Sequence, residues 1–246
     1  MGDRRVALVA DARSYVGPPL ARALAQRGHD LVVGPVADGL VEELQSLGAS
    51  VVVVDDAREL QKEGVADRLV AGAMGEFGRL DAAVAFPGQI VIGKLLDSKI
   101  EDLHRVVLTC LEAPYRFLTA VAPPMVAAGS GQILLCTSAA GSRPTRGAAI
   151  YSSVRAGANM MALNLADEIA SKGVSVNAVG TNFMDFPEFH AANGTNDPQK
   201  RAALEARVPL RRMGTLEEFA SFACVFLDGT AAFQTGQSIA FAGGWA

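Results

Sequence analysis

Ser138, Tyr151 and Arg155 are the residues whose types and spacing point most directly to chemistry. Tyr151 and Arg155 stand four apart in "YSSVR", within a helical pattern, so the phenol and guanidinium share one helix face. Ser138 closes the apolar run "GQILLCTS", thirteen residues earlier, at what reads as a strand end. A phenol ordinarily titrates near about pH 10. A guanidinium beside it stays charged at any accessible pH and favours the phenolate. Tyr151 could therefore act as a base towards a substrate hydroxyl while Ser138 fixes the oxygen.

Such a constellation needs a rigid scaffold. Seven short apolar runs supply it: "RVALVA", "DLVVG", "SVVVVD", "LDAAVAF", "GQILLCTS", "VSVNAVG" and "QSIAFAG". Helical patterns lie between them near 17–28, 38–48, 58–77, 97–128, 148–172 and 215–228. Strands separated by helices imply right-handed crossovers and a parallel sheet. The runs are apolar almost throughout, as expected when helices cover both faces. The reading is α/β: one doubly wound, seven-stranded parallel sheet, a single domain over 1–246. The segment 180–199 reads as a long functional loop. Ligands of such folds sit outside the carboxyl ends of the strands. That places Phe86, Ala140, Pro144 and Phe189 as candidates for a substrate pocket.

The first strand and helix, "ALVADARSYVGPPLARALAQRG", have the layout of a dinucleotide phosphate site. Glycine serves there because backbone must approach the pyrophosphate closely. Only Gly17 remains. Asp11 would set a carboxylate near phosphate, where two unit charges about 4 Å apart repel by about 4 kcal/mol at an effective dielectric of about 20. Tyr15 puts a ring where a cofactor would lie. Gly34 and Pro35 end the second strand where an acid would grip a ribose hydroxyl, and Asp38 comes later.

Composition narrows the classes further. The chain has 246 residues, half of them hydrophobic, with a formal charge of -4. It carries no basic block, which argues against nucleic acid. Cys110, Cys136 and Cys224 are scattered and form no framework, which suits a reducing, cytoplasmic setting. His29, His104 and His190 lack ligand spacing, so no metal is expected. Neither a signal peptide nor a membrane span is expected, and Gly2 lacks a myristoylation context.

These residues resemble the short-chain dehydrogenase/reductase superfamily over nearly the whole chain, with a Rossmann-like fold. Its Ser…Tyr-x-x-x-Lys pattern is matched at Ser138 and Tyr151, with Arg155 for lysine. Its T-G-x-x-x-G-x-G reads A-D-A-R-S-Y-V-G from Ala10 to Gly17. Its N-N-A-G reads A-F-P-G over 85–88, and its relay asparagine falls on Val107. This set of departures is similar to the halohydrin dehalogenase branch. The resemblance implies a Ser138–Tyr151–Arg155 triad and a halide pocket from Tyr15, Thr181, Asn182, Phe183 and Met184.

The activity so implied is reversible closure of a vicinal haloalcohol to an epoxide, a lyase reaction. Azide, cyanide or nitrite would open the epoxide in reverse. No nicotinamide cofactor takes part. The superfamily's habits also imply a homodimer or homotetramer. Two alternatives remain open at this point: an NAD(P)-dependent short-chain reductase with a degenerate cofactor loop, and a non-catalytic member.

Overall fold

The structure, a computed structural model, describes residues 4–246; Gly2, weighed above for lipidation, lies outside them. Seven strands form one sheet: β1 (Arg5–Val9), β2 (His29–Val33), β3 (Val51–Val53), β4 (Ala82–Ala85), β5 (Gly131–Ser138), β6 (Val174–Thr181) and β7 (Ser238–Phe241). Their order is β3-β2-β1-β4-β5-β6-β7, and all six pairings are parallel. The direction of winding reverses between β1 and β4, which opens a crevice at the carboxyl ends of those strands.

Side-chain alternation assigns the strand residues to two layers. Val6 and Leu8 face one core with Leu69, Phe117 and Ile133, under helices α3 (Val65–Phe77), α5 (Ala113–Ala128) and α6 (Ala149–Ile169). Ala7 and Val9 face the other core with Leu20, Leu24, Leu44 and Phe219. That core lies under α1 (Gly17–Gln26), α2 (Leu40–Ser46) and α9 (Leu216–Cys224). With both faces covered, β4 and β6 are buried at every position, which is why they read as unbroken apolar runs. A fully buried leucine such as Leu20 contributes about 2 kcal/mol by area alone.

Three elements differ from expectation. The helix expected from 58 begins only at Val65, after Gly64 in the left-handed region (φ 74°). The helix expected over 97–128 begins as α4 (Ile100–Val107) and widens into a π turn over Leu108–Glu112 before α5. Pro114 in the first turn of α5 has no N–H for a bond back to residue 110. Within and just beyond 180–199 lie two short helices, α7 (Pro187–Asn193) and α8 (Pro198–Glu205). Pro187 and Pro198 stand in their first turns, and Gly194 ends α7 at φ 65°. No helix among the described residues is long and apolar enough to cross a membrane.

Candidate active site

Ser138 is the last residue of β5 and pairs in register with Thr181, the last of β6. Its Oγ accepts from the Ala140 N–H at 3.2 Å and donates to the Thr181 carbonyl at a long 3.5 Å. Tyr151, Arg155 and Asn159 form one stripe along α6, four residues apart, and all three are buried. Asn159 was not singled out in the sequence. Its Oδ1 accepts from Thr137 Oγ1 at 2.6 Å, tying α6 to the end of β5 and fixing the turn that carries Arg155.

Arg155 enters the crevice beneath Gly88. Its Nη1 donates to the Pro87 carbonyl at 2.8 Å, and its guanidinium lies 5.1 Å from the centroid of the Tyr151 ring. Gly88 adopts φ 137°, and a Cβ there would stand 2.1 Å from Arg155 Nη2. Glycine at 88 is thus required both by its backbone and by the guanidinium. Among the described residues, Arg155 Nε has no acceptor although it is buried. A buried donor without a partner costs about 1–3 kcal/mol. The Tyr151 hydroxyl has no hydrogen-bond partner there either.

These groups line a cavity of about 210 Å³. Tyr15, Phe86, Thr181, Asn182, Phe183, Met184 and Phe189 complete its wall, together with Ile90 and Phe186, which sequence reasoning missed. Two expected pocket residues are not part of it. Ala140 is turned behind Tyr151, in a cluster with Val106 and Cys110. Pro144 is exposed on the far side of that turn.

The segment after β6 is less of an anion cradle than expected. The Asn182 N–H donates to the Phe241 carbonyl at 3.3 Å, and the Phe183 N–H donates to Asn182 Oδ1 at 2.9 Å. Both donors are spent inside the protein. Phe183, at φ 54°, also stacks edge-on with Trp245.

Val107 packs among Val106, Tyr151 and Val154 as an ordinary apolar residue. The π turn sets Cys110 and Thr109 against the backbone of Gln89 instead. Cys110 Sγ lies 3.6 Å from the Gln89 carbonyl, and Thr109 Oγ1 accepts from the Gln89 N–H at 3.3 Å.

A second cleft, of about 390 Å³, opens on the other side of Tyr15 and is lined by Asp11, Ser14, Arg58, Gln61 and Thr109. Tyr15, Phe86 and Gly88 border both spaces. The Tyr15 hydroxyl donates to Thr181 Oγ1 at 2.8 Å, and its ring packs on Phe186 (centroids 4.7 Å apart) and Phe86 (6.2 Å). Burial pushes this phenol well above its ordinary range, which keeps it a neutral donor.

Comparison with known proteins bears on the family and on the expected activity. The family described as enoyl-(acyl carrier protein) reductase matches residues 9–246. The 3-oxoacyl-[acyl-carrier-protein] reductase of Synechocystis sp. is 32% identical over 246 residues, covering 98% of this chain and 96% of that protein. The chain belongs to the short-chain dehydrogenase/reductase superfamily. The 3-oxoacyl-[acyl-carrier-protein] reductase FabG of Escherichia coli is 29% identical over 98% of this chain and 96% of its own length. Among solved structures, one described as an NAD(P)-dependent gluconate 5-dehydrogenase from Beutenbergia cavernae, with NADP bound at low occupancy, has TM-score 0.86. It is 25% identical and covers 98% of this chain and 96% of that one.

These findings overturn the dehalogenase expectation. The relatives are named as reductases and an NAD(P)-dependent dehydrogenase, so the lyase reading, with its haloalcohols, epoxides, halide and exclusion of a nicotinamide cofactor, gives way to an oxidoreductase one. The physical reason for the misreading is that a serine and a tyrosine that grip one substrate oxygen serve both chemistries equally.

The loop that would take a nicotinamide dinucleotide does not fit one as it stands. The Ala12 N–H donates to the Pro35 carbonyl at 2.8 Å and the Ala37 N–H to the Ala12 carbonyl at 3.1 Å, closing β1's loop onto β2's. Asp11 accepts from the Arg13 N–H at 2.7 Å, so a carboxylate occupies the turn. The Tyr15 ring stands between the cleft and the Ser138–Tyr151 cavity. One feature of the ancestral site is intact: a Cβ at Gly17 would stand 2.0 Å from the Asp11 carbonyl, so helix and loop still pack with no room for a side chain.

Proposed function

We propose that this protein is a short-chain reductase acting on a small, largely apolar carbonyl compound and on the corresponding alcohol. The observation that carries the reading is the convergence of polar groups. Ser138, Tyr151 with its free hydroxyl and Arg155 all line one 210 Å³ cavity at the carboxyl ends of β5 and β6. The naming of the relatives as 3-oxoacyl reductases supports it from the other side.

In this reading the carbonyl oxygen sits between Ser138 Oγ and Tyr151 Oη. Ser138 fixes the oxygen, and Tyr151 gives its proton to it in the carbonyl direction and takes it back in the alcohol direction, while a nicotinamide dinucleotide, when bound, would give the carbonyl carbon its hydride or take it from the alcohol carbon. Arg155, against the Tyr151 ring, stabilises the phenolate left behind. The rings of Phe86, Phe186 and Phe189 exclude water and give the substrate's carbon skeleton an apolar wall.

The test is a spectrophotometric assay at 340 nm with NADPH and with NADH, using an acetoacetyl thioester and a panel of small ketones. The expected result is turnover of at least one substrate, reduced by about 10²- to 10⁴-fold in Tyr151→Phe, the range of one positioned acid–base group. Absence of turnover with either dinucleotide across the panel contradicts the reading.

A further inference from the structure

We propose that Tyr15 is the residue that decides what this site can bind, by dividing one channel into two. The inference rests on the reductase reading given above, and it accounts for the disagreement between that reading and the closed loop.

Two cavities, of about 390 and 210 Å³, meet at a wall shared by Tyr15, Phe86 and Gly88. Gly88 has no side chain and Phe86 directly follows β4, so Tyr15, in the turn before α1, is the part of that wall latched across the crevice to β6. It is held at three points. Its hydroxyl is latched to Thr181 across the crevice, its ring is sandwiched by Phe186 and Phe86, and its backbone sits in the left-handed region at φ 53°.

A non-glycine residue in that conformation is under strain. Glycine, the residue native to such a turn, would relieve it. With the latch closed, the inner cavity admits a small molecule to Ser138 and Tyr151 while the outer cleft is cut off from them. With the latch open and the ring swung aside, as wild-type turnover requires, or with the ring removed, cleft and cavity become continuous. A ligand long enough to span both, such as a nicotinamide dinucleotide, then reaches the polar groups at the inner end.

The closing experiment is an equilibrium titration of NADPH and NADH, by calorimetry, against wild type, Tyr15→Gly and Tyr15→Phe. Circular dichroism melting confirms that each variant is folded. Tyr15→Gly is expected to bind at least one dinucleotide tenfold or more tighter than wild type. Tyr15→Phe keeps the ring but loses the latch, and its affinity is expected to fall between the two. Should all three bind alike and turn over ketone, the gate is refuted and the reductase reading stands. Should none bind, both are refuted together.

Discussion

The two ends of the sheet hold their buried charges differently. At the amino-terminal ends of the strands, Arg5 donates to Gln132 Oε1 at 2.7 Å, to the carbonyls of Asp81 and Leu227 at 3.3 Å, and to His29 Nε2 at 3.3 Å. The Asp81 carboxylate takes the Val6 N–H at 2.7 Å and two Arg79 nitrogens at 2.8 Å. Apart from Gln132 Nε2, the polar atoms of this network are satisfied. At the carboxyl ends, Arg155 has one carbonyl and a ring face, and Tyr151 has no partner for its hydroxyl. The first end closes on itself and stabilises the fold. The second leaves a buried Arg155 nitrogen and the Tyr151 hydroxyl unpaired, at a cost in stability, as sites that must stabilise developing charge do.

That contrast can be broken most readily at the closed end. Replacing Arg5 by an apolar side chain of similar length takes a donor from four acceptors at once, of which the Asp81 carbonyl keeps the Gln132 N–H. Arg5→Met is expected to lose about 3 kcal/mol in urea denaturation, since hydrogen bonds from a charged donor are worth about 1.5–3 kcal/mol each and some acceptors regain water. A loss below about 1 kcal/mol would mean that this network does not hold the sheet.

A smaller effect belongs to His29, fully buried beside Arg5 with its Nδ1 against the Leu24 carbonyl. Burial holds its imidazole below the usual range. The unfolded chain therefore binds more protons than the native one as pH falls below about 6.5, and stability declines in that window. Melting followed from pH 7.5 to pH 5.5 should show a larger drop for wild type than for His29→Gln, by about 1 kcal/mol. Equal drops would place the pH dependence elsewhere.

The fold was legible because its cause is simple. Strands covered on both faces must be apolar throughout, and all seven runs named from sequence became strands, with ends within a few residues. The proximity of Tyr151 and Arg155 was legible because helical spacing alone puts them on one face. What stayed hidden depended on local backbone. The π turn over Leu108–Glu112 breaks the regular helical count, so Cys110 and Thr109 meet the backbone of Gln89 and Thr109 lines the outer cleft. The 3₁₀ turn over Ala139–Ser142 tucks Ala140 behind Tyr151. Asn159 looked like one more polar residue in a long helix until Thr137 was found against it. The activity was misassigned for a different reason: Tyr15 and Arg155 describe how the oxygen site is walled and charged, and neither residue says what happens to the substrate carbon.

The most direct test of the difference between the two ends is the stability of Arg155→Met, measured in urea beside Arg5→Met. Arg155 is buried, with no ion-pair partner among the described residues, so its removal takes away a desolvated charge and leaves one stranded carbonyl. Replacing an ill-compensated buried charge by an apolar group is often neutral or stabilising. The expected result is a change within about 1 kcal/mol of wild type, together with loss of ketone turnover. If Arg155→Met is destabilised as much as Arg5→Met, the carboxyl end is as self-contained as the other, and it is not held open for a ligand.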